Sequence, residues 1–129
     1  MSKVNAEINF REDFNGKLTN KNGDINIGEK GLAPYDMLQG ALVACLHATF
    51  LSILLKKKIG IVSAKYQVDG TKRETTPTTL SEVHLDVHIK TNDNVDQVKR
   101  SFELATKYCS VYATISAVAT ITYDLHFED

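Results

Sequence analysis

Two cysteines and four histidines are the residues of this chain best suited to chemistry. Cys45 stands in a long apolar stretch, with Ala41, Leu42, Ala48 and Thr49 as its neighbours at helical spacing. Apolar surroundings raise a thiol's pKa and make it inert, so the plain reading is a small core residue. A peroxidatic or redox thiol at that position needs a cation or a hydrogen-bond donor close by to hold the thiolate. Cys109 lies between Tyr108 and Ser110, just ahead of a second helix start. A helix start lowers a thiol pKa and suits a resolving cysteine; the alternative is a buried small residue at a helix joint. Spacing alone does not bring the two together, since a disulfide needs Cα atoms about 4.4–6.8 Å apart.

The histidines offer less. His84, Asp86 and His88 line the outward face of one strand, successive members about 6.5–7 Å apart. Such a row binds a metal if a facing strand helps. With no second ligand cluster visible, it reads as a solvated strand face, and no metal is assigned. His47 is two residues from Cys45, about 200° round a regular helix, so it is read as a hydrogen-bonded core or interface residue and not the base for that thiol. His126 falls on the polar face of the last strand. There is no glycine-rich phosphate loop, GxSxG, CxxC or paired helical histidine, so phosphate, serine-hydrolase and zinc-finger readings have no support and no cofactor is assigned.

The element that must position Cys45 is Pro34–Lys58, the longest apolar segment, expected as one helix of about 37 Å. Pro34 and Asp36 suit its start; Lys56, Lys57, Lys58 and then Gly60 suit its end. It is apolar nearly all round, which predicts burial on all sides. Ahead of it, Val4, Ala6, Ile8 and Phe10 alternate with polar residues as a strand, Asn15-Gly16 signals a turn, Leu18 opens a second strand, and Asn22-Gly23 signals a hairpin leading to Ile25 and Ile27. After it, strands are predicted at Val62–Asp69 and Glu82–Lys90, joined by the polar connection Gly70–Thr79. Val95, Val98, Phe102 and Ala105 repeat at helical spacing, Ser110 can cap a short helix over Val111–Ser116, and Ile121, Tyr123, Leu125 and Phe127 mark a last strand. Three strands, a long helix, two strands, two helices and a strand make an α+β fold with an antiparallel sheet wrapped on a long buried central helix. The sheet's buried face and the all-apolar helix invite a second copy, so a homodimer is expected.

The bulk properties agree with one domain over residues 1–129. The chain is 43% apolar and 24% charged, ordinary for a soluble protein, and its net charge of −1 argues for neither nucleic acid nor an anionic membrane surface as partner. Two widely spaced cysteines make no secreted disulfide framework, and Met1–Arg11 has no apolar core of a signal peptide, which points to the cytoplasm. Leu38–Leu55 approaches the length of a bilayer span and a lysine run follows it, but Gln39, His47, Thr49 and Ser52 interrupt it, so a buried core helix is the preferred reading.

Gly31-x-x-Pro34-x-Asp36-x-Leu38, followed by Ala41, Ala44 and Cys45, resembles the central helix of the OsmC/Ohr family. Cys109-Ser110-Val111 with Thr114-Ile115 resembles that family's Cys-Pro-Val segment, with serine in place of proline. The element order matches along nearly the whole chain. The resemblance implies an intertwined α+β homodimer with sites at the subunit interface, and a stress-response peroxidase activity toward organic hydroperoxides. In it Cys45 would be peroxidatic and Cys109 resolving, and a dithiol such as a lipoyl group would reduce the resulting disulfide. The family's usual acid and arginine are replaced: Tyr35 stands at the glutamate position with Asp36 beside it, and Phe14 at the arginine position. Arg11 and Arg73 are the arginines that could substitute. A non-catalytic relative that binds an apolar small molecule or a partner at the subunit interface is the alternative.

Overall fold

A computed structural model describes residues 2–128. The chain divides into two compact units, one ending at Gly40 and the other beginning at Ala41.

The first unit is an antiparallel meander of β1 (Glu7–Phe10), β2 (Asn15–Asn20) and β3 (Gly23–Gly28), followed by the first turns of α1 (Pro34–Lys56). Asn15-Gly16, expected to turn, instead opens β2, pairing with Gly28 and Ile27, and the reversal falls at residues 11–14. Gly16 serves close approach: a Cβ there would lie 2.6 Å from the Asn9 carbonyl oxygen. The second hairpin is where it was expected, one residue early: Lys21 and Asn22 form the turn between the paired Asn20 and Gly23, and the Asn22 N–H donates to Asn20 Oδ1 at 2.8 Å. Gly28 has φ 109°, and a side chain there would collide with the Phe14 carbonyl oxygen. Ile8, Phe10, Phe14 and Ile25 all remain exposed.

The second unit holds α1 from Ala41 onward, β4 (Ser63–Lys72), β5 (Leu80–Lys90), α2 (Val95–Tyr108), α3 (Ser110–Ser116) and β6 (Thr120–Glu128). The strand order is β4-β5-β6. β4 pairs antiparallel with β5, as expected, but β6 pairs parallel to it, so the sheet is mixed and not the purely antiparallel one expected. The reason is the connection: β5–α2–α3–β6 is a strand–helix–strand crossover, which returns the chain in the same direction. Val83, Leu85, Val87 and Ile89 of the central strand β5 are fully buried. Phe102 of α2 meets Phe50 of α1 edge-on at 5.2 Å and Tyr123 of β6 at 5.0 Å, which ties both helices to the sheet. Asn94 caps α2 by accepting the Gln97 N–H at 3.0 Å.

Burial of α1 departs from expectation. Only Leu42, Leu46, Phe50 and Leu54 are buried, one stripe at every fourth residue, while Leu51 and Leu55 are 44% and 79% exposed. A single chain offers this helix the sheet of the second unit and the helices α2 and α3, which cover one side only. By length and composition α1 is also apolar enough to cross a bilayer, with a mean hydropathy of 1.9. Its end is set by Lys58 rather than Gly60. Lys58 sits at φ 59°, its N–H reaching the Leu55 carbonyl and the Ile59 N–H reaching that of Leu54, a Schellman ending with a non-glycine residue in the left-handed position.

Candidate thiol site

Cys45 lies at the middle of α1, half-buried, on a turn whose backbone carbonyl accepts a hydrogen bond from Thr49 Oγ1 at 2.9 Å. Facing it is the joint between α2 and α3. The Cys45 sulfur is 3.8 Å from Ser110 Oγ. The backbone N–H of Val111, the Cys109 thiol and the Ser110 hydroxyl and N–H all favour the Cys45 thiolate, in that order, and outweigh burial to hold its pKa below the ordinary thiol value. Among the described residues, none of the groups acting on it is an arginine. Hydrogen-bond donors alone therefore meet the requirement for a cation or donor, because each N–H, O–H or S–H aimed at the sulfur stabilises its charged form more than its neutral one.

Cys109 is buried and forms the joint itself. It is both the last residue after α2, its N–H bonded to the Ala105 carbonyl, and the N-cap of α3, its sulfur accepting the Tyr112 N–H at 3.4 Å. The expected cap, Ser110, is instead the first helical residue, which frees its hydroxyl for Cys45. The Cys109 pKa is raised, not lowered as a helix start would suggest: burial is the main cause, the Tyr112 N–H opposes it, and the neighbouring Cys45 raises it further. The two thiols thus neighbour each other and differ, the Cys45 pKa lying below the ordinary thiol value and that of Cys109 above it. Both are free.

The supporting residues are placed as follows. Asp36 Oδ2 accepts the Ala33 N–H at 2.9 Å, so its carboxylate closes the start of α1 in a capping-box arrangement. Arg11 is exposed and lines an open groove of about 430 Å³ in the first unit together with Phe10, Lys17 and Lys30. Tyr35 is half-buried in the first turn of α1. Arg73 donates from Nε to the Pro77 carbonyl at 2.6 Å, bracing its own loop. His47 is engaged by Tyr66, Nδ1 to hydroxyl 2.9 Å; burial lowers the imidazole's pKa and raises the phenol's. The residues missed from sequence are Ser110 as a side-chain donor and Val111 as a backbone donor. The only signal for them was a serine directly after the second cysteine at a helix start.

By fold and site this is an α+β chain that sets the half-buried thiol of its long helix beside a buried thiol at a helix joint. The family model described as OsmC-like protein matches residues 27–124, and the chain belongs to the OsmC-like family. Among solved structures, a hypothetical protein from Aquifex aeolicus is similar over 100% of both chains, at 24% identity and a TM-score of 0.86. An OsmC like protein from Mycoplasma pneumoniae matches over 99% of both chains at 20% identity and a TM-score of 0.87. An organic hydroperoxide resistance protein OsmC from Legionella pneumophila matches over 98% of this chain and 99% of its own, at 14% identity and a TM-score of 0.75. A comparison with curated proteins returns no match.

Proposed function

We propose that this chain is a thiol-dependent hydroperoxide reductase with a preference for organic hydroperoxides. The observation that carries the reading is the set of donors from Cys109, Ser110 and Val111 that holds Cys45 toward the thiolate. The Cys45 thiolate attacks the distal oxygen of a hydroperoxide; the O–O bond breaks, the alkoxide takes a proton and leaves as an alcohol, and Cys45 becomes a sulfenic acid. Cys109, which gives up its proton in this step, attacks the sulfenic sulfur; hydroxide leaves as water and a Cys45–Cys109 disulfide forms. A dithiol of the lipoyl kind returns both thiols by exchange. The apolar flank of α1 near Cys45, where Ala41 and Ala48 lie exposed one turn before and after it, favours an alkyl over a bare peroxide. The printed name of the Legionella pneumophila relative, an organic hydroperoxide resistance protein, supports the same substrate class.

The chain acts as a homodimer in this reading. The exposed apolar side chains Ile8, Phe10, Phe14 and Ile25 of the meander and, in the second unit, Leu51 and Leu55 of α1 support it, since exposed apolar side chains of that kind favour an interaction site. The same reading makes α1 a core helix of a soluble dimer and not a membrane span. Two free thiols suit a reducing compartment, which supports a cytoplasmic location. Turnover of cumene hydroperoxide with dihydrolipoamide is the test. Cys45→Ser should abolish it; turnover retained in that variant would rule out the assigned nucleophile.

A further inference from the structure

The parallel pairing of β6 with β5 creates a side-chain cluster on the outer face of the sheet, away from the thiols. Register sets His84 opposite Thr122, Asp86 opposite Asp124, and His88 opposite His126. The facing strand that the His84-Asp86-His88 row lacked in sequence is β6, which adds a carboxylate and an imidazole.

Two features of this cluster ask for a cation. Asp86 and Asp124 face each other directly across neighbouring strands, a like-charge pair that is destabilising unless something positive lies between them. His84 Nε2 is aimed at both carboxylates, 3.2 Å from Asp124 Oδ2 and 3.6 Å from Asp86 Oδ1. His126 Nε2 lies 3.1 Å from the same Asp86 oxygen. Carboxylate oxygens only accept, so each of these contacts needs either a proton or a metal ion at its centre. The spacing suits the ion. Tetrahedral Zn²⁺ with bonds of about 2.0–2.2 Å sets its ligand atoms roughly 3.3–3.6 Å apart, and one ligand atom each from His84, Asp86 and Asp124 lie within 4.8 Å of one another. The other nitrogen of His84 is bonded to Thr122 Oγ1 at 2.7 Å, the outer-shell contact that fixes a ligating imidazole's orientation. His88 stacks on His126 at 4.6 Å and holds that ring in place.

We propose that His84, Asp86 and Asp124 form a surface site for a divalent transition-metal ion, Zn²⁺ foremost, with one nitrogen and two oxygen ligands from the chain, His126 standing beside Asp86. The site is open to solvent, with the side chains of His84 and Asp124 37% and 66% exposed, so an ion can enter without local unfolding.

The experiment is calorimetric titration of Zn²⁺ into the full reduced chain, with His84→Ala, Asp124→Asn and, as a control on bare surface charge, Glu82→Gln. The expected result is about one ion per chain, with binding weakened more than about tenfold in the first two variants and unchanged in the control. No saturable binding, or equal binding in all four proteins, overturns the proposal. Co²⁺ added to the unmutated chain provides a readout that does not depend on any variant folding. Absorption of a tetrahedral nitrogen–oxygen site is expected, and sulfur-to-cobalt charge-transfer bands as the only signal would assign the metal to the thiols and overturn the proposal.

Discussion

Replacing Cys109 by alanine separates the two roles assigned to that residue. The Cys109 thiol is one of the groups holding Cys45 toward the thiolate, after the Val111 N–H and ahead of the Ser110 hydroxyl, which stands at 3.8 Å. A hydrogen bond to an ionised acceptor is worth roughly 1.5–3 kcal/mol, but a thiol is a weak donor and Cys45 is partly open to water, so about 1 kcal/mol is the figure to use. At a pH below the Cys45 midpoint that loss lowers the thiolate population by roughly fivefold. Cys109→Ser restores a hydroxyl donor at the same place and should keep the thiolate population within about twofold of the parent. Neither variant can form the disulfide. The assay is the rate of Cys45 alkylation by iodoacetamide across a pH series, read by mass spectrometry. A slowed Cys109→Ala and a near-parental Cys109→Ser fit the donor role. Equal rates in parent and Cys109→Ala would refute it, and would leave the backbone of α3 and the Ser110 hydroxyl as the activators.

Three other outcomes follow from the packing. Burial holds His47 below its ordinary value of 6.5, so the unfolded chain binds more protons than the folded one below that pH; the stability that neutral His47 contributes is present above 6.5 and lost as pH falls beneath it, and urea melts of His47→Gln should show a flatter dependence in that window. Lys58→Gly relieves a left-handed backbone position at φ 59° and should stabilise the protein by about 0.5–1 kcal/mol in urea melts; destabilisation would mean the lysine side chain matters more than its backbone. Phe102→Ala empties the contact among Phe50, Tyr66 and Tyr123 and should cost about 3–5 kcal/mol, while a loss under about 1 kcal/mol would refute its place at the centre of the second unit's core.

Much of the fold was legible because burial imposes a period. The alternation of Val83, Leu85, Val87 and Ile89 marked the central strand, and the spacing of Val95, Val98, Phe102 and Ala105 marked α2. Family motifs located both cysteines on the elements where they stand. What was not legible depends on direction and on backbone atoms. Alternation is the same in parallel and antiparallel strands, so the parallel β5–β6 pair, and with it the meeting of Asp86 with Asp124, was hidden. An Asn-Gly pair signals tolerance of unusual backbone, but at Asn15-Gly16 the glycine serves close approach instead of a turn, since a Cβ there would lie 2.6 Å from the Asn9 carbonyl oxygen and the Phe10 ring. Cys109 took the capping place expected of Ser110, because its sulfur can accept the Tyr112 N–H, and this released the serine toward Cys45. The strongest donor to Cys45 is the peptide N–H of Val111, which every residue but proline carries, so no residue type could announce it. The helix, finally, was read as buried all round because its composition is apolar all round; a single chain covers one stripe.

The most direct test of the thiol site is intact mass with a free-thiol count after a brief dose of cumene hydroperoxide, with hydrogen peroxide run alongside. The account predicts loss of both thiols and of two hydrogens at low oxidant, faster with the organic peroxide, as Cys45 and Cys109 close a disulfide. Two thiols that survive excess oxidant would contradict it and leave both cysteines as packing residues at the joint of α1, α2 and α3.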